Sequence, residues 1–474
     1  MIEDTVQSGG RDARSGTRVA QVMRSIRQRI ERRALTPGAR LPSIRAMAEM
    51  MGLSKSTIVE AYDRLAAEGA IRSRPGSGFY VAAPLAPLAL AELGPKVDRA
   101  IDPLWVLRQS LARRPGALKP GCGWLPESWM PVDAIRKGLR ALARAGSGDM
   151  LVDYGSPTGS EALRRLIARR MAEQGVDAGP DQIMLTESGT HAIDLVCRFL
   201  IEPGDTVLVD DPCYFNFHAL LRAYRAHVVG VPYTPTGPDV AAFADALERH
   251  RPRLYITNSA LHNPTGATLS AATAHRVLKL AETHDLIFVE DDIFADFEHE
   301  PAPRLAAFDG LDRVIRIGSF SKTLSASVRC GHIAARRDWI EALADLRIAT
   351  GMTSSPLSAE LMLTVLTDGS YRRYLERLRA RLAVTMHRTV RRLDAIGIRP
   401  WIEPAAGMFL WCRLPDGIDA ADVAHRALAE DIVLAPGNAF SLGHSAGGYL
   451  RFNVAQMSDE RIFRVLADAM DARP

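Results

Sequence analysis

Hydrophobic and polar residues follow three different patterns along the chain. Residues 17–82 predict short helices followed by a β-hairpin, with apolar side chains at helical spacing in the first part. Residues 83–120 contain six prolines among alanines and leucines, a composition typical of a semi-rigid linker. From residue 121 to residue 474, short apolar runs alternate with helical stretches. The pattern therefore predicts a small helical domain, a linker and a large α/β domain.

The large domain shows the alternation expected of a mostly parallel sheet covered by helices. The strand-like runs are short and apolar: Gln182–Thr186, Thr206–Val209, Leu254–Thr257, Leu286–Val289 and Val314–Ile317. Helical stretches, such as Ala271–Thr283, lie between them. We therefore expect a parallel sheet whose strands are joined by helices.

Composition narrows the class of protein. Of the 474 residues 47% are hydrophobic, enough for a sizeable core, and no apolar run has the length that a membrane-spanning helix needs. The first ten residues are polar and lack the apolar centre of a signal peptide. The cysteines are scattered without a CxxC pair: Cys122, Cys197, Cys213, Cys330 and Cys412. This spacing favours reduced thiols in a cytoplasmic protein and predicts no metal site.

Basic charge is concentrated near the N-terminus. The chain has a formal net charge of +4, but residues 1–82 hold 14 basic and 8 acidic side chains, which gives +6 and leaves −2 for the remainder. Such an excess is expected of a module that contacts the phosphates of nucleic acids. Charge alone does not decide this, because many basic surfaces are merely solvated.

The pattern between residues 17 and 82 predicts a helix-turn-helix. Ser43 and Ser54 can cap two short helices through their side-chain oxygens, and Gly52 lies in the turn between them. The second helix opens with polar groups suited to base edges and phosphates: Lys55, Ser56 and Thr57. A small helical domain that binds proteins would share the pattern, so DNA binding rests on the helix start and the charge together.

GntR-type regulators have a winged helix-turn-helix that this part of the chain resembles almost throughout, over LTPGARLPSIRAMAEMMGLSKSTIVEAYDRLAAEGAIRSRPGSGFYVA. The hairpin Ile71–Val81 matches the wing of that fold. The resemblance implies binding to double-stranded operator DNA. The implied DNA contacts come from the helices and the wing: Arg45, Lys55, Ser56, Thr57, Arg72, Arg74 and Gly76.

Two residues with catalytic chemistry stand at predicted strand ends in the large domain. Lys322 follows the strand that ends near Ile317, and a lysine there can form a Schiff base with an aldehyde cofactor. Asp291 ends another strand and can hold a pyridine nitrogen protonated. Each alone also fits a structural role, Lys322 as a surface lysine and Asp291 as a loop cap. The chain has only six lysines, and Lys322 is the only one after Lys279.

Other motifs supply the remaining parts of a cofactor site. Backbone N–H groups at a predicted helix start, with hydroxyls and a cation, can cradle a phosphate: Ser188, Gly189, Thr190, Ser319 and Arg329. Asn263, within HNPTG, offers an amide to a phenolic oxygen. Tyr214, within DPCY, can stack on an aromatic ring. Each motif is common alone, so the inference depends on their order.

The order of these parts resembles that of fold-type I aminotransferases over roughly residues 120–470. The resemblance implies pyridoxal 5'-phosphate as the cofactor and an α/β fold with a smaller C-terminal α+β subdomain. It implies Lys322 as the Schiff-base lysine, Asp291 at the pyridine nitrogen and Asn263 at the ring oxygen. It places Tyr214 on the ring face and the remaining residues at the phosphate: Ser188, Gly189, Thr190, Ser319 and Arg329.

Three further positions follow from the same resemblance. Tyr154 matches the tyrosine that such dimers lend to the partner's phosphate, which implies a homodimer. Arg451, within YLRF, matches the arginine that binds a substrate carboxylate, as a planar guanidinium can do bidentately. Ile293 and Phe294 depart from the family, because they fill positions where a tyrosine usually bonds the ring oxygen. This departure predicts poor turnover rather than loss of the cofactor.

The two halves together resemble MocR/GabR-type regulators over nearly the whole chain. The resemblance implies a transcription regulator that senses an amino compound, or the cofactor itself, through aldimine chemistry. A second interpretation is an amino-acid aminotransferase with an accessory DNA-binding module. A third is a dimerisation scaffold with a vestigial cofactor site, against which the set Lys322, Asp291 and Arg451 argues.

Overall fold

The computed structural model describes residues 9–31, 34–36, 38–74, 77–81, 103–112, 114–145 and 148–471. Contacts within the chain divide it into two compact units, Met1–Ala89 and Leu90–Pro474. The described elements of the first unit are α1 (Gly9–Glu31), α2 (Ile44–Met51), α3 (Lys55–Ala67), β1 (Ile71–Arg74) and β2 (Gly78–Val81).

Two serine caps and one glycine shape the helix-turn-helix of the first unit. The Oγ of Ser43 accepts a hydrogen bond from the Ala46 amide (3.2 Å), and the Oγ of Ser54 accepts one from the Thr57 amide (3.3 Å). The helices α2 and α3 therefore begin where the sequence predicts. Gly52 ends α2 with φ of 62°, a left-handed conformation that glycine adopts without strain.

The hairpin closes the core of the first unit. Its strands β1 and β2 are antiparallel, with Ile71 opposite Val81. Both side chains are buried with apolar residues of α1 and α3: Val19, Val22, Ile26, Ile58, Tyr62 and Leu65. The hydroxyl of Tyr62 also donates a hydrogen bond to the main-chain oxygen of Pro42 (2.9 Å), which fixes α3 against the start of α2.

The second unit alternates strands and helices. Its strands are β3 (Ile183–Thr186), β4 (Thr206–Asp211), β5 (His227–Thr234), β6 (Gly237–Pro238), β7 (Leu254–Thr257), β8 (Ile287–Asp291), β9 (Val314–Ser319), β10 (Gly331–Ala334), β11 (Arg399–Pro400), β12 (Phe409–Arg413), β13 (Ala435–Pro436) and β14 (Tyr449–Asn453). Its helices are α4 (Pro103–Leu111), α5 (Val132–Ala145), α6 (Gly148–Val152), α7 (Glu161–Ala172), α8 (Gly189–Leu200), α9 (Phe215–Ala223), α10 (Val240–His250), α11 (Ala271–His284), α12 (Leu305–Asp309), α13 (Arg337–Gly351), α14 (Pro356–Thr367), α15 (Gly369–Asp394), α16 (Ala420–Ala429) and α17 (Glu460–Asp471).

The large sheet has the strand order β3-β10-β9-β8-β7-β4-β5-β6. The pairs β4–β5, β4–β7, β7–β8 and β8–β9 are parallel, whereas β10 runs antiparallel to both β3 and β9. Six strands therefore run in one direction, and only β10 and β6 oppose them. Because the carboxyl ends of parallel strands meet at one edge, the residues that follow them can form one site.

A smaller antiparallel sheet, in the order β11-β12-β14-β13, forms the C-terminal part of the second unit. The chain before α5 joins this sheet: Leu118 bridges to Ile432, and the amide of Gly121 donates to the main-chain oxygen of Val433 (2.9 Å). The long helix α15 leads from the large sheet to the small one. In the described part of the chain no helix combines the length and the apolar character that a membrane crossing requires.

The segment predicted as a linker contains one packed helix. Residues 82–102 lie outside the described residues, but α4 begins at Pro103. Val106 of this helix is buried in a cluster with Phe215, Trp411 and Phe440. The composition of residues 83–120 hid this helix, because the prolines at both ends suggested a linker while the apolar residues between them supply a buried face.

Candidate cofactor site and DNA-contact surface

The carboxyl edge of the large sheet brings together the residues proposed for the cofactor. Five of them end a strand or lie in the segment that follows one: Ser188 after β3, Tyr214 after β4, Asn263 after β7, Asp291 at the end of β8 and Ser319 at the end of β9. Lys322 follows β9 by three residues. Asn263 and Asp291 are buried, and Tyr214 and Lys322 are half-buried. Parallel strand direction alone therefore gathers residues that are up to 134 positions apart in the sequence.

In the described part of the chain, Lys322 makes one hydrogen bond. Its Nζ donates to the main-chain oxygen of Gly123 at 2.8 Å. Burial, and then the positive charge of Arg451, lower the pKa of Lys322 to about 8. A fraction of the amine is therefore neutral near pH 7.5, as a nucleophilic lysine requires.

Asp291 is a buried carboxylate without a cationic partner in hydrogen-bond contact among the described residues. Burial raises its pKa to about 7 against the lowering effect of a side-chain hydrogen bond from Asn258, and its Oδ1 accepts a long hydrogen bond from the amide of Ile293 (3.4 Å). The Nδ2 of Asn258 donates to the main-chain oxygen of Asp291 (2.9 Å) and fixes this strand end. A protonated ring nitrogen would supply the missing positive charge, so Asp291 fits a pyridine cofactor.

The start of α8 forms the proposed phosphate cradle. The Oγ of Ser188 accepts a hydrogen bond from the His191 amide at 3.1 Å and caps the helix. Gly189 is needed for close packing, because a Cβ there would lie 3.1 Å from a methyl group of Ile293 and 3.6 Å from the Cβ of Ser319. Thr190 and Arg329 are exposed beside this helix start and the end of β9. The amide dipoles and N–H groups of a helix start favour an anion such as phosphate.

Arg451 is fully buried and has no acidic partner among the described residues. Its Nη1 donates to Oδ1 of Asn263 (2.9 Å), and its Nη2 donates to the main-chain oxygen of Gly121 (2.7 Å). The guanidinium carbon lies 4.3 Å from the ring centre of Phe409 and 4.8 Å from that of Phe440. Burial lowers the pKa of Arg451 to about 10, and its Nε has no hydrogen-bond partner in the described structure. A buried cation in this state fits a ligand carboxylate.

Asn263 and Tyr214 connect the carboxylate pocket with the cofactor position. Because the Asn263 oxygen accepts from Arg451, its amide nitrogen remains as a donor for a ring oxygen. Tyr214 packs its ring against Phe215 and Phe217, with centroid distances of 4.9 and 5.4 Å. Burial raises the pKa of the Tyr214 phenol to about 12, so this side chain stays neutral.

Tyr154 stands apart from these residues within one chain. It is 78% exposed and makes no hydrogen bond or ring contact with another described residue. Leu151 and Val152 beside it are also exposed, at 66% and 81%. A cavity of about 730 Å³ begins at the following residues, Gly155 and Ser156. This surface lies open in the single chain.

Ile293 and Phe294 place no hydroxyl at the cofactor. A methyl group of Ile293 faces Gly189 of the phosphate cradle. Phe294 is buried, and its ring packs against Phe297 and Phe409 with centroid distances of 6.1 and 5.5 Å. The departure noted in the sequence is therefore a difference in chemistry, because apolar packing occupies both positions.

The structure also shows supporting residues that the sequence did not reveal. Asn453 binds the main-chain oxygens of Cys122 (3.1 Å) and Trp124 (2.8 Å). Asp210 accepts from the hydroxyl of Thr257 (2.8 Å) and lies 3.3 Å from Nε2 of His262, next to Asn263. The only sequence signal for Asp210 was a charged residue directly after the apolar run Thr206–Val209. Asn453 could have been suspected because it lies two residues beyond Arg451 in the same strand.

Most residues proposed for DNA contact lie on the surface of the first unit. Arg45 is exposed on α2, where it pairs with Glu49 at 3.4 Å, and Lys55 and Arg72 are exposed without an ion pair to another described residue. Ser56 is exposed, with its hydroxyl 2.9 Å from that of Ser54. Arg74 ends β1, although nothing is described of its side chain, and Gly76 lies outside the described residues.

Thr57 differs from the expectation. It is only 8% exposed, and its hydroxyl lies 2.8 Å from the Oγ of Ser54. At the third position of α3 the side chain turns back towards the cap instead of outwards. Its role is therefore to support the start of α3, and we leave it out of the proposed DNA contacts.

Two family models match the chain. Residues 125–468 match the family Aminotransferase class I and II, and residues 18–81 match Bacterial regulatory proteins, gntR family. The fold and the site thus define a protein with a GntR-type DNA-binding domain and a fold-type I aminotransferase-like domain, for which pyridoxal 5'-phosphate is the cofactor.

Proteins similar to this chain over most of its length are named as transcriptional regulators. The chain is 31% identical over 454 residues to the uncharacterized HTH-type transcriptional regulator YdcR of Escherichia coli (strain K12), covering 93% of this chain and 96% of that protein. It is 27% identical over 441 residues to the HTH-type transcriptional regulator NorG of Staphylococcus aureus (strain USA300), covering 90% and 98%. The chain belongs to this family of HTH-type transcriptional regulators with an aminotransferase domain, the MocR type.

Among solved structures, the second unit is similar to an aminotransferase crystallised with a cofactor derivative. This is LysN, the α-aminoadipate aminotransferase from Thermus thermophilus, complexed with N-(5'-phosphopyridoxyl)-L-leucine. The TM-score is 0.70 at 25% identity, covering 81% of this chain and 98% of that one. The multiple substrate aminotransferase from Thermococcus profundus has a TM-score of 0.71 at 24% identity over 81% of this chain and 97% of that one, which shows the shared fold.

Proposed function

We propose that this regulator binds duplex DNA through its winged helix-turn-helix, and that an amino compound with a carboxylate group changes its DNA affinity by binding at the pyridoxal phosphate site. The observation that carries the proposal is the state of Arg451, which is buried without an acidic partner in the described structure and close enough to influence the charge of Lys322. An uncompensated buried cation is costly unless a ligand neutralises it. An effector carboxylate does so.

Pyridoxal phosphate supplies an aldehyde that condenses with amines and a ring that withdraws electrons. In the proposed site Lys322 would reach the aldehyde, Asp291 would lie at the pyridine nitrogen and Asn263 at the ring oxygen. Tyr214 would cover one face of the ring. The start of α8 and the end of β9 would hold the phosphate: Ser188, Gly189, Thr190, Ser319 and Arg329.

The remaining steps belong to the protein. The Nζ of Lys322 would have to give up the main-chain oxygen of Gly123 to reach a bound cofactor, and the free amine could hold a proton there. Arg451 can turn its two donors from Asn263 and Gly121 to the effector carboxylate. Both events change the hydrogen bonds of the segment around residues 121–123.

We further propose that the protein acts as a homodimer in the cytoplasm. The exposed side chains of Leu151, Val152 and Tyr154 support a partner at this surface, because solvent-exposed apolar groups of this size cluster at interfaces. All five cysteines are free and buried, as expected of a reducing compartment. Light scattering of the purified protein tests the dimer, and Val152→Glu should shift it towards the monomer.

A titration of DNA with and without effector tests the proposal. Amino acids are first screened by the change that they cause in visible absorbance. One that binds should change the DNA affinity of the wild type roughly 5- to 150-fold, the usual range for coupled sites. Arg451→Ala should keep the colour of the bound cofactor and the affinity for DNA without effector, and it should lose the response to a carboxylate effector.

Two further variants make this test decisive. Arg451→Lys keeps the charge without the bidentate fork, so its response should be weakened and not lost. Arg413→Ala removes an exposed arginine of the neighbouring strand, paired with Asp416 at 2.7 Å, and should respond normally. An unchanged effector response in Arg451→Ala would contradict a carboxylate effector bound in this way and would favour sensing of the cofactor itself.

The retained Lys322 and Asp291 favour a second candidate function, amino-acid transamination. It is the weaker candidate, because Ile293 and Phe294 provide no hydroxyl for the ring oxygen. Typical enzymes turn over on the order of 10 times per second, and we expect far slower transfer with common amino and keto acids. Sustained multiple turnover at such a rate would place this function first.

A further inference from the structure

The long helix α15 carries an unusual concentration of positive charge. It has eight arginines and two acidic residues, which gives +6 within 26 residues. Residues 83–474, which contain this helix, have a net charge of only −2. The first unit reaches the same +6 over 82 residues. The helix α15 is therefore a second region of concentrated positive charge, besides the first unit.

The arginines of α15 are arranged on one face. The helix buries its apolar residues against the second unit: Tyr371, Leu375, Leu378, Leu382, Met386 and Leu393. The opposite side exposes a row at spacings of three and four residues: Arg373, Arg377, Arg381, Val384, Arg388 and Arg391. At about 100° per residue this row lies within about 80° of the helix surface, and at 1.5 Å per residue it is about 27 Å long. We call these six residues the arginine stripe.

Four arginines of the stripe have no compensating acid among the residues that the structure describes. Other arginines of α15 are paired, as Arg372 is with Glu376 at 3.3 Å, or lie over a ring, as Arg381 does over Trp129 at 3.8 Å. Within the described residues, no ion pair is formed by the remaining exposed members of the stripe: Arg373, Arg377, Arg388 and Arg391. Like charges three or four positions apart on a helix repel each other, so the row costs stability that a polyanion would restore.

We propose that the arginine stripe of α15 contacts the phosphate backbone of the DNA that the same protein holds through its winged helix-turn-helix. The proposal rests on the DNA binding stated above. Duplex DNA carries one negative charge per about 1.7 Å of its axis, so a straight row of cations about 27 Å long can face several phosphates at once. DNA bound by the first unit is also present at a high effective concentration, which makes weak additional contacts effective.

The contact should be independent of base sequence. Arginine side chains on an exposed helix face can bind phosphates bidentately, and phosphate contacts position a protein without reading bases. The stripe should therefore add affinity for DNA that flanks the operator and leave operator recognition to the first unit. An acidic protein partner also matches the charge, but it would lack the advantage that DNA has, because the chain itself tethers α15 to a DNA-binding unit.

The test measures the affinity of the full-length protein, loaded with cofactor, for two operator duplexes. One duplex, of about 25 base pairs, carries two half-sites one helical turn apart, and the other extends the same operator to about 90 base pairs. The operator is first selected from random sequences with the wild type. R373Q/R377Q/R388Q/R391Q should bind the short duplex like the wild type, and it should lose at least tenfold in affinity for the long one at low salt.

The salt dependence identifies the contact. The slope of log affinity against log salt should fall by about 0.9 for each phosphate that the variant no longer neutralises, hence by about 2 to 4 on the long duplex. The matched control R251Q/R253Q/R276Q/K279Q removes the same charge from four exposed residues that precede β7 or lie on α11. It should change neither affinity nor slope.

Three outcomes would overturn the proposal. An equally weakened control would mean that net charge alone acts, and an unchanged slope in the stripe variant would mean that the stripe touches no DNA. Equal weakening on both duplexes would place the stripe within operator recognition. Absence of any binding by the wild type to the short duplex would instead count against the proposed function. Retained cofactor colour and melting temperature show that each variant is folded.

Discussion

The two units of the protein present their functional groups in opposite ways. In the first unit the proposed DNA contacts lie within about 30 residues of sequence, and most are exposed, with local caps below them. In the second unit the site draws on residues from Gly121 to Asn453, most of them buried and held by hydrogen bonds across the fold. Exposed groups can be exchanged with little effect on the stability of their own unit. Exchange of a buried group of the cofactor site changes the stability of its unit as well, because each is also part of the packing.

Replacement of Lys322 should produce the largest effect, the complete loss of a covalent bond to the cofactor. Borohydride reduction of the wild type, followed by peptide mass spectrometry, should place the pyridoxyl group on Lys322. Lys322→Ala should lack the adduct, and Lys279→Ala, on an exposed face of α11, should retain it. An adduct on another lysine in the wild type would show that the site is assigned wrongly.

Substitution of Asp291 should raise the stability of the cofactor-free protein and lower its affinity for the cofactor. Burial raises its pKa from an ordinary value of 3.8 to about 7, so the native state without cofactor loses stability as pH rises between these values. Asp291→Asn should therefore stabilise the cofactor-free protein by up to about 4 kcal/mol at pH 8 and by less than about 2 kcal/mol at pH 5. The same variant should bind the cofactor more weakly.

Urea unfolding at both pH values measures this gain. Asp177→Asn, which changes an exposed carboxylate without an ion pair in the described structure, should leave stability nearly constant. A loss of stability at pH 8 in Asp291→Asn would mean that the carboxylate is already paired in the cofactor-free protein.

Loss of a helix cap in the first unit should change stability less than Asp291→Asn does, and in the opposite direction. Ser54→Ala removes the cap of α3 and should cost about 1 kcal/mol, seen as a lower melting temperature and weaker DNA binding. Arg72→Ala should leave the melting temperature unchanged and lower the salt slope of DNA binding by about one unit. If both variants lose stability equally, the exposed residues proposed for DNA contact also stabilise the fold of this unit.

The same contrast explains what the sequence could predict. The caps of Ser43 and Ser54 were predictable because each bond spans three residues. The strand ends were predicted within two residues, because apolar runs stop where polar site residues begin. The partners of Arg451 were not predictable, since the bond to Gly121 joins positions 330 residues apart. The burial of Thr57 and the helix α4 were missed for a related reason, because tertiary packing decided both.

The short segment before Trp124 occupies hydrogen-bond donors of the site, so a ligand must displace it in order to bind. Three successive main-chain oxygens are bound by residues of the site: Gly121 by Arg451, Cys122 by Asn453 and Gly123 by Lys322. A ligand that engages Arg451 and Lys322 must outcompete this internal occupant. The apparent affinity for ligand therefore reports the difference between two sets of bonds and falls as the segment is held more firmly.

The released segment is tied to the start of the unit. The Nζ of Lys119 donates to the main-chain oxygens of Ser110 and Ala112, both at 2.7 Å, at the end of α4. Displacement at Gly121 and Gly123 thus frees a stretch that is anchored to this helix two residues earlier. Any change that loosens that anchor, such as Lys119→Met, should make ligand binding tighter, because the competitor becomes weaker.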